Sequence, residues 1–235
     1  MITKLFTIEA LSNLHVGSGE INYGLIDNLI QRDPVTEQPN INSSSLKGAL
    51  REHFKHLVKE NNAKGITTKW TVNGIFGSDP KDKDNRNPGS VRFFEAELLA
   101  IPVRCNDKPY KMVTSQTTIE DFKEKMESFE INITDDIVEK AFGLLDEERE
   151  SHEEFKDLCS NDELPVISRN NLEDGQSSNL WYEQVLPKHS RLAFVVMSNE
   201  SEEFKEFCKA LNNSVVQIGA NATIGYGYCK ITEVC

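Results

Sequence analysis

The stretch SSSLKGALREHFKHLVKEN, residues 43–61, has the period of an α-helix. Leu46, Leu50, Phe54, Leu57 and Val58 recur at three- and four-residue steps and form one apolar stripe. The serines at its head supply an N-cap. Before it, ITKLFTIEALS (2–12) has the mixed alternation and the Thr, Ile and Phe content of a strand. After it, SVRFFEAELLAIPVR (90–104) reads as one long strand. Farther on, RLAFVVMS (191–198) reads as a buried strand. SEEFKEFCKAL (201–211) reads as a helix capped by Ser201, with Phe204, Phe207, Cys208 and Leu211 turned inward. SVVQIG (214–219) and GYCKITEV (227–234) are strands around a glycine turn. The order strand, helix, strand, insertion, strand, helix, strand predicts an α+β chain on a split βαβ, ferredoxin-like plan.

The intervening segments are polar. HVGSGEINYG (15–24) is a glycine-rich loop, LIDNLIQRD (25–33) is extended, and DPVTEQPN (33–40) is a turn or short hairpin. Residues 62–77 end in the loop NGIFGS, and DPKDKDNRNPG (79–89) reads as a mobile loop. Residues 117–160 read as helical. PVISRNNLEDGQSSNLWYEQVLP (165–187) is a hairpin excursion, two extended arms around a polar tip with Gly175. The 235 residues thus form a single domain, 1–235, with a helical, acidic insertion at about 105–163 and a hairpin at about 165–187.

Formal net charge is −12, which at face value argues against a nucleic-acid partner. Of the 38 acids, however, 17 lie between Glu120 and Glu163, against 5 of the 26 bases, so the rest of the chain is balanced. The acidic segment reads as a solvated helical face, or as a surface that repels stray RNA. The five cysteines form no CxxC and show no metal-ligand spacing, so reduced thiols in a cytoplasm are expected. No apolar run approaches the ~20 residues that span a bilayer, so no membrane partner is expected.

Four groups of residues are candidates for chemistry. Lys47, Arg51, Lys55 and Lys59 fall at four-residue steps, a positive stripe beside the apolar face. It leads down from a Ser-rich helix start that can itself hold an anion. Alone, such a stripe is equally a solvated face. QIGANATIGYGY (217–228) lacks GK[ST] and GxGxxG, so it is no phosphate loop of those kinds. Its small residues either admit another backbone, RNA included, or make a tight turn. Asp27, following the glycine loop, can hold a divalent metal at a phosphate or accept a proton from a ribose 2′-hydroxyl; it can equally cap a turn. His15, by the same weighing, is catalytic or structural. His53 and His56 read as structural. Trp181 and Tyr182 can stack on bases or anchor the hairpin.

Taken together, LHVGSG (14–19), GLIDNLIQRD (24–33), TEQPNINSSSLKGALR (36–51), IFGS (75–78), GSVRFF (89–94), NLWYEQVLP (179–187) and QIGANATIGYG (217–227) resemble the RAMP superfamily of CRISPR-associated proteins. The pairing of LIDNLIQRD with SSSLKGALR is that of its backbone subunits, and LWYEQVLP points to the type III-B (Cmr) branch. The resemblance implies an RRM-like palm with an inserted helical lobe and a thumb β-hairpin. It implies copies stacked head to tail on a guide crRNA, beside other Cmr-complex subunits and a complementary target RNA. Asp27 becomes the cleaving residue and carries a divalent ion, magnesium or manganese, and His15 stands as a second catalytic candidate. Ser44, Ser45, Lys47, Gly48 and Arg51 become RNA contacts, joined by Arg32, Gly219, Asn221, Gly225 and Gly227. Arg169, Asn170, Trp181 and Tyr182 become the working face of the thumb. A type III-A backbone subunit, a guide-processing endonuclease of the superfamily and a non-cutting guide scaffold are the alternatives.

Overall fold

The computed structural model describes residues 1–19, 24–79, 86–143, 155–160 and 163–235. Parts of the expected 15–24 and 79–89 loops and of the helical segment, at 20–23, 80–85, 144–154 and 161–162, lie outside the described residues. The structure is mixed α/β, built on a curled antiparallel sheet. Strand β1 is Ile2–Ala10, β2 Asn40–Ile41, β3 Arg92–Phe93, β4 Ala96–Val103, β5 Lys111–Val113, β8 Arg191–Ser198, β9 Val215–Gln217 and β10 Tyr228–Glu233. The sheet order is β2-β4-β8-β1-β10-β9, with β3 on β8 and β5 on β4. β1 therefore sits between β8, where Phe6 faces Phe194, and β10, where Phe6 faces Glu233.

Its central place explains why β1 does not alternate cleanly in sequence. Both faces are covered, so Leu5, Phe6, Thr7 and Ile8 are all buried. Phe6 and Ile8 join Leu46, Leu50 and Phe54 of helix α1 (Ser43–Ala63) and Phe204, Phe207 and Leu211 of helix α6 (Glu202–Leu211) on one face. Phe54 is the centre of this layer, with ring centroids 4.9 Å from Phe207, 5.0 Å from Trp70 and 5.7 Å from Phe76. Truncating such a buried ring to alanine costs about 3–5 kcal/mol. On the other face Leu5, Leu99 and Val195 meet Phe122 and Met126 of helix α3 (Gln116–Ser128) and Val138 and Phe142 of helix α4 (Asp135–Phe142). The described helices of the acidic segment, α3 and α4, are therefore more than a solvated face. Each roofs the sheet with one side and exposes its charges on the other.

Several local expectations are corrected. Asn42, not a serine, is the N-cap of α1, and it makes no side-chain cap bond. Gln31 serves the helix start instead: its Oε1 accepts from Asn42 N and its Nε2 donates to Ser45 Oγ, both at 2.9 Å. NGIFGS is largely helical, in α2 (Val72–Phe76), because Thr71 caps it and accepts from Gly74 N. The 90–104 strand is broken into β3 and β4. The pairing with β8 slips by a residue across Phe94 and Glu95, and again between Leu98 and Ala100. Successive strand side chains face opposite ways, so Phe93 joins the α1 layer and Phe94 the opposite layer. The insertion opens with a strand, since Lys111–Val113 pairs with β4 at Ile101–Val103. A short helix α5 (Phe155–Leu158) follows it.

The hairpin stands apart from the main sheet. β6 (Val166–Glu173) and β7 (Gln176–Gln184) pair only with each other as strands. Asp174 and Gly175 have φ of 50° and 80°, two left-handed residues in succession, the demand of a type I′ turn that an Asp-Gly pair meets.

Candidate functional site

The hairpin is rooted by residues 24–33, which run as an extended segment held by single bridges. Gly17 pairs with Ile30, Arg32 with Pro39, and Asn28 lies parallel to Glu183 of β7. Asn28 N donates to Tyr182 O, and Gln184 N donates to Asn28 O. That clasp places Asp27 at the root of the hairpin, where its Oδ2 accepts from Tyr182 N at 2.8 Å. Asp27 itself is exposed. The carboxylate is thus oriented by one bond and open to solvent.

Beneath it lies a residue that the sequence reading passed over. Glu183 is buried, its side chain 8% exposed. It accepts from Trp181 Nε1 at 3.0 Å, Arg169 Nη1 at 3.0 Å and Asn221 Nδ2 at 2.9 Å, with Asn28 Nδ2 at 3.4 Å. Burial by itself pushes the Glu183 carboxyl up. The hydrogen bonds from Trp181 and Arg169, with the charge of Arg169, outweigh it and hold the group below its ordinary value. The Arg169 guanidinium lies 5.6 Å over the Trp181 ring and 5.9 Å over the Tyr226 ring. One carboxylate therefore ties the hairpin, the Asp27 segment and the glycine segment together. The register gives the clue. Arg169 pairs with Trp181, so Arg169, Trp181 and Glu183 share one hairpin face, an acid amid apolar and cationic neighbours. Tyr182, 41% exposed, and exposed Asn170 lie on the other face.

His15 is buried at 4% exposure beside this hub, and its Nδ1 donates to Gln184 O at 2.7 Å. Its backbone carbonyl accepts from Ala220 N. Arg32, expected on RNA, is turned inward. Its guanidinium donates to Glu37 O and Cys159 O, both at 2.7 Å, and to Gln184 Oε1 at 3.4 Å, and desolvation lowers its pKa. Arg32 pins the hairpin root to the helical lobe.

The glycine segment is also corrected in part. Gly219 has φ +83°, and a Cβ there would stand 2.2 Å from the His15 carbonyl oxygen; at Gly227 it would stand 2.0 Å from Ile218 O. The backbone these two admit is the protein's own. A Cβ at Gly48 or Gly225 would meet open space. Asn221, left-handed at φ 66°, spends its side chain on Glu183.

A groove runs between α1 and the glycine segment, lined by Gly17, Gln31, Ser44, Ser45, Gly48, Gln217 and Gly219. The fold thus brings together three segments far apart in sequence. Lys47 lies on the far side of Ser44, its Nζ 5.9 Å from the Phe93 ring centre. Arg51 reaches Asn73 Oδ1 at 3.1 Å. Lys55 is paired with Glu52 at 2.7 Å and stands 3.9 Å from Asp79, so the positive stripe weakens along the helix.

Among the described residues no group of three or more His, Cys, Asp or Glu gathers as a metal site. The described residues around Asp27 thus offer no such cage for the expected divalent ion. All five cysteines are free, and burial pushes Cys159, Cys208 and Cys229 up to about 12. No helix among the described residues is long and apolar enough to cross a membrane.

The sheet, its two helical layers and the hairpin define a known class. The RAMP superfamily profile matches residues 7–230, and the chain belongs to that superfamily. Within it, the chain is similar to the CRISPR system Cmr endoribonuclease Cmr4 of Pyrococcus furiosus, at 25% identity over 99% of this chain and 96% of that protein. It is 36% identical to the CMR subunit Cmr4 of Saccharolobus solfataricus over 53% of this chain and 39% of the relative. The fold is shared with a chain of the type III-B Cmr-beta complex bound to cognate target RNA, with a TM-score of 0.77 and 19% identity over 100% and 98% of the two chains. It is also shared with oligomeric Cmr4 from Pyrococcus furiosus, with a TM-score of 0.69 and 20% identity over 100% and 99%.

Proposed function

We propose that this chain is a repeating backbone subunit of a type III-B CRISPR effector that cuts complementary target RNA. Near-complete alignment with a Cmr endoribonuclease supports this reading. The observation that carries it is the seat of Asp27 on Tyr182 N, which puts an exposed carboxylate at the root of a free-standing hairpin. In this reading the strands β4-β8-β1-β10, with α1 and α6 on one face, are the ferredoxin-like, RRM-like palm, and 166–184 is the thumb. Further copies pack head to tail along a guide crRNA beside other Cmr-complex subunits, in the cytoplasm.

The mechanism is one of positioning. Guide pairing selects the sequence, and the protein reads backbone and shape. The groove offers the start of α1, with Ser44, Ser45 and Gly48, to guide phosphates, and Lys47 adds charge. The thumb separates a base step and turns one nucleotide so that its 2′-hydroxyl lines up with the adjacent phosphate. Asp27 accepts the 2′-hydroxyl proton, the 2′-oxygen attacks phosphorus, and the bond from phosphorus to the 5′-oxygen breaks as that oxygen takes a proton from water. The products are a 2′,3′-cyclic phosphate and a 5′-hydroxyl. Glu183 and His15 do not touch the RNA in this scheme; they hold the Asp27 segment against the thumb.

The decisive experiment is cleavage of labelled target by complexes reconstituted with Asp27→Asn. Loss of a general base lowers the rate about 10²–10⁴-fold, while guide and target binding should persist. Cutting at the wild-type rate would refute the assignment, and so would products ending in a 3′-hydroxyl.

A further inference from the structure

Four residues beyond Asp27, Gln31 belongs to both halves of the site. Its backbone closes a short ribbon. Gln31 N donates to Val16 O at 2.8 Å, Ser18 N donates to Leu29 O at 2.9 Å, and Gly17 bridges Ile30. Its side chain leaves that ribbon for helix α1, where Oε1 accepts from Asn42 N and Nε2 donates to Ser45 Oγ, both at 2.9 Å. Gln31 and Ser45 line the same groove.

The polarity of this link is fixed by its far end. A backbone N–H can only donate, so the Gln31 oxygen must face Asn42 and the Gln31 nitrogen must face Ser45. The Ser45 oxygen is therefore an acceptor toward Gln31, and its own proton points elsewhere. Among the described residues no group accepts that proton. The hydroxyl is thus set to donate to an acceptor in the groove, the chemistry that a phosphate oxygen offers.

The other end of the ribbon holds Asp27. From Gly24 to Asn28 the chain is exposed or half-buried, with Leu25 at 95%, and burial begins at Ile30, 3% exposed. Packing therefore contributes little to the place of Asp27. The clasp of Asn28 on the hairpin sets it from one side, and the ribbon anchored at Gln31 sets it from the other. Extended chain rises about 3.3 Å per residue, so the Gln31 anchor acts on Asp27 over about 13 Å.

We infer that Gln31 is a positioning residue for cleavage, whose carboxamide ties the guide seat at Ser45 to the Asp27 segment. The inference rests on the reading above, in which the groove takes guide phosphates and Asp27 accepts the 2′-hydroxyl proton. A phosphate that takes the Ser45 proton makes the Ser45 oxygen a better acceptor for Gln31 Nε2, because hydrogen bonds in a chain polarise one another. An occupied groove thus holds Gln31, and the ribbon behind it, more firmly than an empty one. Guide binding and the placing of the carboxylate become one event.

The test uses reconstituted complexes carrying two variants. Gln31→Met keeps the length of the side chain and removes both bonds; Ser45→Ala removes the hydroxyl and suits a helix. Single-turnover cutting is read with guide and target saturating, below each variant's Tm, beside guide affinity. Gln31→Met should cut about 10- to 100-fold more slowly with target affinity unchanged, a loss that a plain helix cap does not produce once the complex is assembled. Ser45→Ala should weaken guide binding about tenfold and also slow cutting at saturation. The double variant should cut no more slowly than Gln31→Met, since both changes break one link. Wild-type cutting by Gln31→Met at saturation overturns the inference, and so do losses that multiply independently in the double variant. If Gln31→Met does not fold, Ser45→Ala decides alone: slowed cutting at saturation upholds the link and wild-type cutting overturns it. Asp27→Asn, run alongside, separates the two levels. An inactive Asp27→Asn with a fully active Gln31→Met refutes the inference alone, whereas an active Asp27→Asn refutes the reading beneath it and the inference with it.

Discussion

Replacing Glu183 by Gln keeps the shape of the hub and removes its charge. The Arg169 guanidinium, whose side chain is 20% exposed, then loses its anion at 3.0 Å. The new amide places a second donor among Arg169, Trp181 and Asn221, which are all donors already. Removing one partner of a largely buried pair costs about 3–5 kcal/mol, and the partial exposure of Arg169 argues for the lower end, about 3 kcal/mol. For a chain of this size each kcal/mol moves Tm by about 2–4 °C, so thermal melts should fall by about 6–12 °C. The function should suffer more than stability alone explains. Asn28, which Glu183 holds at 3.4 Å, directly follows Asp27, and a misplacement of about 1 Å at a reacting group costs about 10²-fold in rate. Target cleavage by reconstituted complexes below the new Tm should therefore drop about 100-fold, with guide binding retained. Pairing the change with Arg169→Met should recover part of the lost stability, a coupling of about 1 kcal/mol or more. A Tm within 2 °C of wild type, or unchanged cutting, would show that the Glu183 contacts hold nothing together.

Lys47→Ala with Arg51→Ala should weaken assembly on guide RNA and flatten its salt dependence by about one unit of slope per lost phosphate contact; an unaltered slope would remove both from the RNA path. Shortening the hairpin tip between Asn170 and Ser178 should leave guide binding largely intact and abolish cutting at regular positions, whereas unchanged cut sites and rates would make 166–184 an ordinary surface hairpin. Because the folded-state pKa of Glu183 lies below its ordinary 4.5, its stabilisation is present in full above about pH 4.5 and is lost as pH falls through the folded value. The Tm gap between wild type and Glu183→Gln should thus be constant from neutral pH to about 5 and close below that, and a gap that widens in acid would contradict the sign.

The long elements were readable because their periodicity coincides with their burial. The stripe from Leu46 to Phe54, the inward residues of 201–211 and the run at 191–198 needed nothing beyond side-chain pattern. What escaped depends on contacts distant in sequence. The slip across Phe94 and Glu95 is a change in how the chain pairs with β8, which no local pattern encodes. Thr71 as a cap was hidden by the glycine in a five-residue helix. In the site, the place of Asp27 after a glycine loop left a cap open and the resemblance supplied its role, while its bond to Tyr182 N depends on the fold. Gly219 and Gly227 were legible as close-approach positions, but the partner was the chain itself. Arg32 was expected on RNA, and its inward turn escaped because its acceptors at Glu37 and Cys159 are backbone carbonyls, which every residue has. Glu183 draws its partners from its own strand and three other segments, at Asn28, Arg169 and Asn221, so the fold reveals it.

The place of β10 has a consequence for how the protein comes into being. The sheet is closed by pairing Phe6 with Glu233 and Ala10 with Cys229, and Leu5 N donates to Cys235 O. A ring of that contour carries an entropic penalty of about 5 kcal/mol on the loop-closure scale, and contacts so distant slow folding. During synthesis β1 can dock on β8 while the ribosome still holds the segment that will become β10. Until that segment is released, the edge of β1 presents unpaired N–H and C=O groups, the template on which a neighbouring nascent chain can add a strand. Chains made close together on one messenger are therefore exposed to a misassembly that the finished sheet forbids.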